Sequence, residues 1–179
     1  RTGKWFVSRS RFDSWFVHAK LGIGQENSGK LVAKVKDEAR RLAEREKIAY
    51  VIVDGPPGVG CPAISAISGT NHVLIVTEAT RSGLHDLKRM VDLTRAFRMS
   101  VSCVINKCNL NPEACRDIQL YCDTCGIEVL AYIPYDRVFS EALRAKKTLI
   151  EMNDSQVVER IEKIWNRVQS KLANVRRTA

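Results

Sequence analysis

Long apolar runs are missing from this chain of 179 residues. No stretch of eighteen or more apolar residues occurs, so no segment is expected to cross a bilayer as a helix. The first residues, Arg1-Thr2-Gly3-Lys4-Trp5-Phe6-Val7, lack the apolar centre of a secretory signal. An initiator Met is absent too, which leaves a processed chain or a piece of a longer one. Aromatics make up only 7%, and the 10 Gly and 5 Pro form no low-complexity tract or linker. Six cysteines, Cys61, Cys103, Cys108, Cys115, Cys122 and Cys125, do not resemble a disulfide framework in a chain this long. A reducing, cytoplasmic setting is the expectation.

What is present is an ordinary globular composition, 45% apolar and 27% charged. Such a length suffices for one domain, residues 1–179, with a real core. The net charge of +9 points to acidic partners, such as nucleotide, nucleic acid or an anionic membrane surface. The cations are scattered and mostly flanked by Asp or Glu on expected helices. Solvated helix faces are therefore the preferred reading over a nucleic-acid or membrane patch.

Two short aromatic and β-branched runs, Lys4 to Ser8 and Ser14 to Ala19, read as an antiparallel pair. A polar, glycine-rich loop follows from Leu21 to Gly29. Apolar residues at helical spacing then predict a helix from Lys30 to Glu46. Beyond it the pattern alternates. Continuous apolar runs at 49–53, 73–77, 101–106 and 128–133 read as strands buried on both faces. Helices are expected at 62–68, from Ser82 as N-cap to Phe97, at 112–125 with Gly126 ending it, at 138–145, and along the C-terminal segment. The fold class is α/β, a mostly parallel sheet with helices on both faces, a layered sandwich. In such sheets ligands bind beyond the carboxyl ends of the strands.

Three strand ends carry chemistry. Asp54 closes the run Tyr50-Val51-Ile52-Val53 and precedes Gly55-Pro56-Pro57-Gly58-Val59-Gly60. An Asp after an apolar strand can hold Mg²⁺ through water and sense a γ-phosphate. The glycines let backbone approach phosphate closely. Read without that chemistry, Asp54 caps a helix beside a turn. Asn106 and Lys107 end the third run, where an amide can read a base edge and a lysine stem can lie over the ring. Pro134, with Tyr135 and Asp136, ends the fourth, where backbone groups can flank the same base.

Together and in order, Asn27-Ser28-Gly29-Lys30-Leu31-Val32, Val53 to Pro62, Ile75 to Thr80 with Ser82 to Asp86, Ile105-Asn106-Lys107 and Ile133 to Asp136 resemble the MinD/ParA superfamily of P-loop ATPases. The branch resembled is the one carrying an inserted ferredoxin domain. The resemblance covers essentially the whole chain. It implies binding of ATP with Mg²⁺ and a homodimer formed around nucleotide. It places Asp54 and the Gly55 to Gly60 loop in the Walker B and switch region, with Asn106 at adenine. An iron–sulfur cluster, or a redox or iron–sulfur partner, enters only through a ferredoxin insert upstream of residue 1.

The chain departs from that pattern in two places. The family's lysine-rich Walker A loop is not found in these residues, and Asn109 stands where an acidic residue usually follows Asn-Lys-x. A local substitute is Gly24-Gln25-Glu26-Asn27-Ser28-Gly29-Lys30, with the spacing G-x-x-x-x-G-K. Ser28, Gly29 and Lys30 are its candidate phosphate contacts, although Leu31 replaces the Ser or Thr that binds Mg²⁺. Cys122 and Cys125 form a CxxC with Cys108 and Cys115 upstream, a spacing foreign to the usual ferredoxin runs. His18, His72 and His85 stand alone. Trp5, Phe6, Trp15 and Phe16 are expected in core contacts.

Three readings follow: an ATP-hydrolysing protein lacking its Walker A part here, a degenerate non-catalytic module that binds nucleotide or a partner, and a metal or redox protein built on Cys108, Cys115, Cys122 and Cys125.

Overall fold

A computed structural model describes residues 4–21, 29–152 and 155–178. The chain divides into two compact units, Arg1–Thr70 and Asn71–Ala179. In the first, β1 (Lys4–Arg9) pairs antiparallel with β2 (Trp15–Lys20), Trp5 opposite Ala19 and Arg9 opposite Trp15. The hairpin turns because the Ser10 hydroxyl accepts the N–H groups of Phe12 and Ser14, while Asp13 takes the left-handed conformation at φ 57°. The aromatics do not form a core as expected. Phe6 is 40% and Phe16 57% exposed, because a two-stranded ribbon with α1 packed on it has too little cover to bury both its faces.

Helix α1 (Gly29–Arg45) packs on α2 (Cys61–Ile67), its first residues lying against Cys61 and Ser65, while Ala63, Ala66 and Ile67 of α2 are buried. Lys36 fastens the pair. Its buried ammonium donates to the carbonyls of Ser65, Ala66 and Ser68 at the C-terminal end of α2. Those carbonyls have no helical partner, and a cation there also offsets the helix dipole. Burial lowers the pKa of Lys36, and the neighbouring Arg40 adds to the effect.

The expected strand at 49–53 does not form. An apolar run becomes a central strand only when sheet edges flank it and layers cover it. Among the described residues, the sheet of this unit consists of β1 and β2. Residues 50–56 are irregular, with Ile52 80% exposed.

The second unit is built on the parallel sheet β3 (Val73–Glu78), β4 (Val101–Asn106) and β5 (Glu128–Ile133), in that spatial order. Helices α3 (Arg81–Ala96) and α4 (Pro112–Thr124) make the crossovers. Successive side chains of a strand point to opposite faces, so central β4 needs cover on both sides. On one face Cys103 and Ile105 join Ile75, Leu87 and Val91 of α3, and Ile118 of α4. On the other, Val104, Leu130 and Ile133 meet Ile164 of α6 (Ser155–Thr178), with Phe139 of α5 (Val138–Arg144) at the margin. All four residues from Ser102 to Ile105 are buried.

The helix ends follow from local chemistry. Thr80, rather than Ser82, is the N-cap of α3, its hydroxyl accepting the N–H of Gly83 at 2.9 Å. Gly126, at φ 68°, stops α4 as its sequence position implies. The free edge of β5 is covered by α6: Arg160 donates to the Tyr132 carbonyl at 2.9 Å and Arg167 to that of Leu130. Arg167 and Lys171 also pair with Glu128.

The cysteines do not assemble a metal site. Among the described residues no group of three His, Cys, Asp or Glu is placed to hold an ion. Cys122 lies beside Cys103 in the core, Cys115 beside Cys108, and Cys125 beside Tyr121. Seven residues of helix separate Cys115 from Cys122 by about 10 Å, far beyond what one ion can bridge.

Two expectations can be measured. Lys36→Met leaves carbonyls of α2 unpartnered and should destabilise the first unit by about 2 kcal/mol, read as faster amide exchange over residues 61–68. His72 bridges the hydroxyls of Ser100 (2.9 Å) and Ser102 (2.8 Å). Burial, then the Lys171 charge, lowers its pKa, with Glu128 opposing. The unfolded chain thus binds the proton more readily. Stability should be full above the ordinary histidine value of about 6.5 and fall as pH drops below it toward the lowered native pKa. His72→Gln should flatten that slope in denaturant titrations across pH 5 to 8.

Candidate functional site

In the second unit the carboxyl ends of the three strands are tied into one surface. The N–H of Ala79, just past β3, donates to the Asn106 carbonyl at 3.1 Å. Cys108, past β4, donates its N–H to the Ile133 carbonyl of β5 at the same distance. Lys107 adopts the left-handed conformation at φ 55°, turning the chain sharply at the end of β4. Its N–H is held by the Asn106 side-chain oxygen at 2.9 Å. The amide nitrogen of Asn106 thus remains as a donor for a ligand.

Lys107 meets a partner that its sequence position does not reveal. Its ammonium lies 2.6 Å from the Glu78 carboxylate at the end of the neighbouring strand. The β3–β4 register sets Glu78 directly opposite Asn106, which brings the pair within reach.

Asn109 has a role that its sequence position does not reveal either. Its side-chain oxygen accepts the N–H of Tyr135 at 2.6 Å, and its amide nitrogen donates to the Tyr135 carbonyl at 3.4 Å. An amide can do both, whereas a carboxylate can only accept. This clamp fixes the loop containing Pro134, which Asp136 continues by accepting the N–H of Val138. Gly83 is also required here, because a Cβ at that position would collide with the Glu78 carbonyl oxygen.

The other expected site residues lie in the first unit. Asp54 is exposed, and no side chain among the described residues engages it. The loop from Gly55 to Gly60 follows, including Pro56 and Pro57. Gly58 sits at φ 82° with open space where a side chain would project. The loop runs into α2, with Gly60 as N-cap and Pro62 in the first turn. Gly29 and Lys30 begin α1, with Lys30 exposed. A Cβ on Gly29 would press on the Ser65 hydroxyl and Cys61 carbonyl, so glycine lets the start of α1 lie against the start of α2. Gly29 and the loop after Asp54 therefore lead into neighbouring helix ends. Ser28, with the rest of 22–28, lies outside the described residues.

The parallel sheet and its loops define an α/β protein of the P-loop NTPase class. A solved structure supports this fold: the cell division ATPase MinD of Pyrococcus furiosus superposes with a TM-score of 0.63 at 19% identity, covering 80% of this chain and 59% of that one. A family model, ParA, described as NUBPL iron-transfer P-loop NTPase, matches residues 29–169. The chain belongs to the ParA family. An uncharacterised protein of Methanocaldococcus jannaschii is 28% identical over 153 residues, which cover 86% of this chain and 50% of that protein. An uncharacterised ATP-binding protein of the same organism is 32% identical over 129 residues, 70% of this chain and 47% of the relative. The chain thus spans about half the length of these relatives.

The Asn109 clamp gives a direct test. Asn109→Ala removes both the acceptor for the Tyr135 N–H and the donor to the Tyr135 carbonyl. Exchange of the Tyr135 amide should accelerate by about tenfold, while exchange in β4 stays unchanged.

Proposed function

We propose that this chain is the Walker B and base-binding part of an ATP-hydrolysing MinD/ParA-type protein. The observation that carries the reading is the exposed carboxylate of Asp54 followed by the open Gly55–Gly60 loop. A Mg²⁺ ion needs only one or two carboxylates beside phosphate and water. A single unengaged aspartate followed by a glycine-rich loop fits that demand.

Bound Mg²⁺ would neutralise charge on the β- and γ-phosphates. Asp54 would hold the ion through water, and the N–H groups of the Gly55–Gly60 loop would face the γ-phosphate. Lys30, at the start of α1, supplies positive charge toward phosphate, with Ser28 and Gly29 as backbone contacts. A Walker A lysine from outside these residues completes the catalytic charge. The Asn106 amide donates to the adenine edge, Lys107 bounds the base, and the Pro134 loop closes its far side.

Homodimerisation around nucleotide goes with this reading, as in MinD/ParA proteins generally. The iron-transfer description of the matched family supports an iron–sulfur protein as the partner. One observation favours a non-catalytic nucleotide- or partner-binding module instead: Leu31 carries no hydroxyl for Mg²⁺ where a working P-loop has one.

Calorimetric titration of the chain with ATP, with and without Mg²⁺, and with GTP decides between them. The ATPase reading expects ATP to bind in preference to GTP, with Mg²⁺ tightening it by at least about tenfold, the worth of one charge-assisted contact. Asp54→Ala should erase the Mg²⁺ effect and leave metal-free binding intact. Equal affinity with and without Mg²⁺ in the native chain would remove Asp54 from its assigned role.

A further inference from the structure

The hairpin β1–β2 presents a feature that the nucleotide site does not use. Phe6, His18 and Phe16 fall on one face, since Phe6 pairs with His18 and Phe16 lies two residues along the same strand. Their rings form a continuous stack. The His18 centroid lies 5.4 Å from that of Phe6 and 4.8 Å from that of Phe16, with interplanar angles of 25° and 22°. Ser8, on the same face, lies 3.2 Å from the His18 ring nitrogen and steadies it. The two phenyl rings stay 40% and 57% exposed.

Positive charge borders the stack. Lys4 and Lys20 are direct cross-strand partners on the face of the rings, and both are exposed. Like charges placed opposite each other destabilise a hairpin. No carboxylate among the described residues is paired with either. An anion between them would turn that repulsion into attraction. At the hairpin tip, the Arg11 guanidinium lies 4.9 Å over the ring of Phe12, itself 57% exposed. Cations thus lie at the open end of the hairpin and at its tip.

We propose that this face of the hairpin binds single-stranded nucleic acid, with bases stacked on Phe6 and Phe16 and a phosphate between Lys4 and Lys20. Rings in a row offer stacking platforms to any base, and lysines at their border follow the backbone. A duplex keeps its bases stacked on one another, so it cannot use the rings. A plain apolar docking face would not need lysines opposed across the ribbon. The inference is independent of the ATPase reading, because Asp54 and Asn106 take no part in it.

The test is fluorescence anisotropy of the full chain with a labelled fifteen-nucleotide thymidine strand, without nucleotide, over a range of salt. Phe6→Leu and Phe16→Leu keep an apolar side chain but lose the ring. Each should weaken binding by about tenfold, the worth of one stacked base. Because both rings are solvent-exposed, melting curves of the variants should match the native chain. Lys4→Ala with Lys20→Ala should make the slope of log affinity against log salt shallower by about 1.4, since two fewer cations then neutralise the strand's phosphates. A duplex of equal length should bind more weakly than the single strand. Unchanged affinity in the leucine variants, or a duplex that binds as tightly, would overturn the proposal. So would light scattering that showed a dimer of the native chain dissociating in Phe6→Leu and Phe16→Leu, since the face would then join two copies.

Discussion

The architecture of residues 71–179 depends on one constraint: β4 must be covered on both faces at once. Its side chains alternate, so Cys103 and Ile105 demand one layer and Val104 another. Helices α3 and α4 supply the first as crossovers between parallel strands. Helix α6 returns over the other face to supply the second. The strand ends are then positioned by the sheet itself. The β3–β4 register that aligns the core also sets Glu78 opposite Asn106, and so places the Lys107 ion pair. Geometry at the candidate base site is a by-product of core packing.

The first unit is held differently. It buries few large side chains, and its two helices are joined largely by one buried lysine capping carbonyls. Desolvating an ammonium is costly, and only the hydrogen bonds at the end of α2 offset it. A polar fastening of this kind is directional. It fixes how α1 and α2 meet, and with them the placement of Gly29 beside Cys61. The loop after Asp54 leads into that junction.

The second unit was largely legible because its sequence signals are redundant. Continuous apolar runs, Gly126 and helical periodicity all point the same way, and β4 spans the residues expected of it. The run at 49–53 has the same composition as a buried strand, but composition cannot show whether a neighbouring edge exists. The aromatics of the hairpin misled for a related reason: ring content signals burial only where a second layer covers it. The cysteine set failed on helical rise, since proximity in sequence does not bring Cys115 and Cys122 to one point. That Asn106 and Pro134 stand at strand ends could be read from the sequence. The roles of Glu78 and Asn109 could not, because they depend on partners 29 and 26 residues away in the chain.

The arginines along β5 have a consequence for assembly. A strand at the margin of a sheet invites another strand to add to it, and copies can then stack without limit. Here Arg160 and Arg167 occupy alternate outward carbonyls, and α6 stands over them. That margin is capped, and a fibre requires two usable margins for every copy it adds. Edge-to-edge polymerisation through β5 is therefore terminated at its first step, by two guanidinium groups rather than by a further strand.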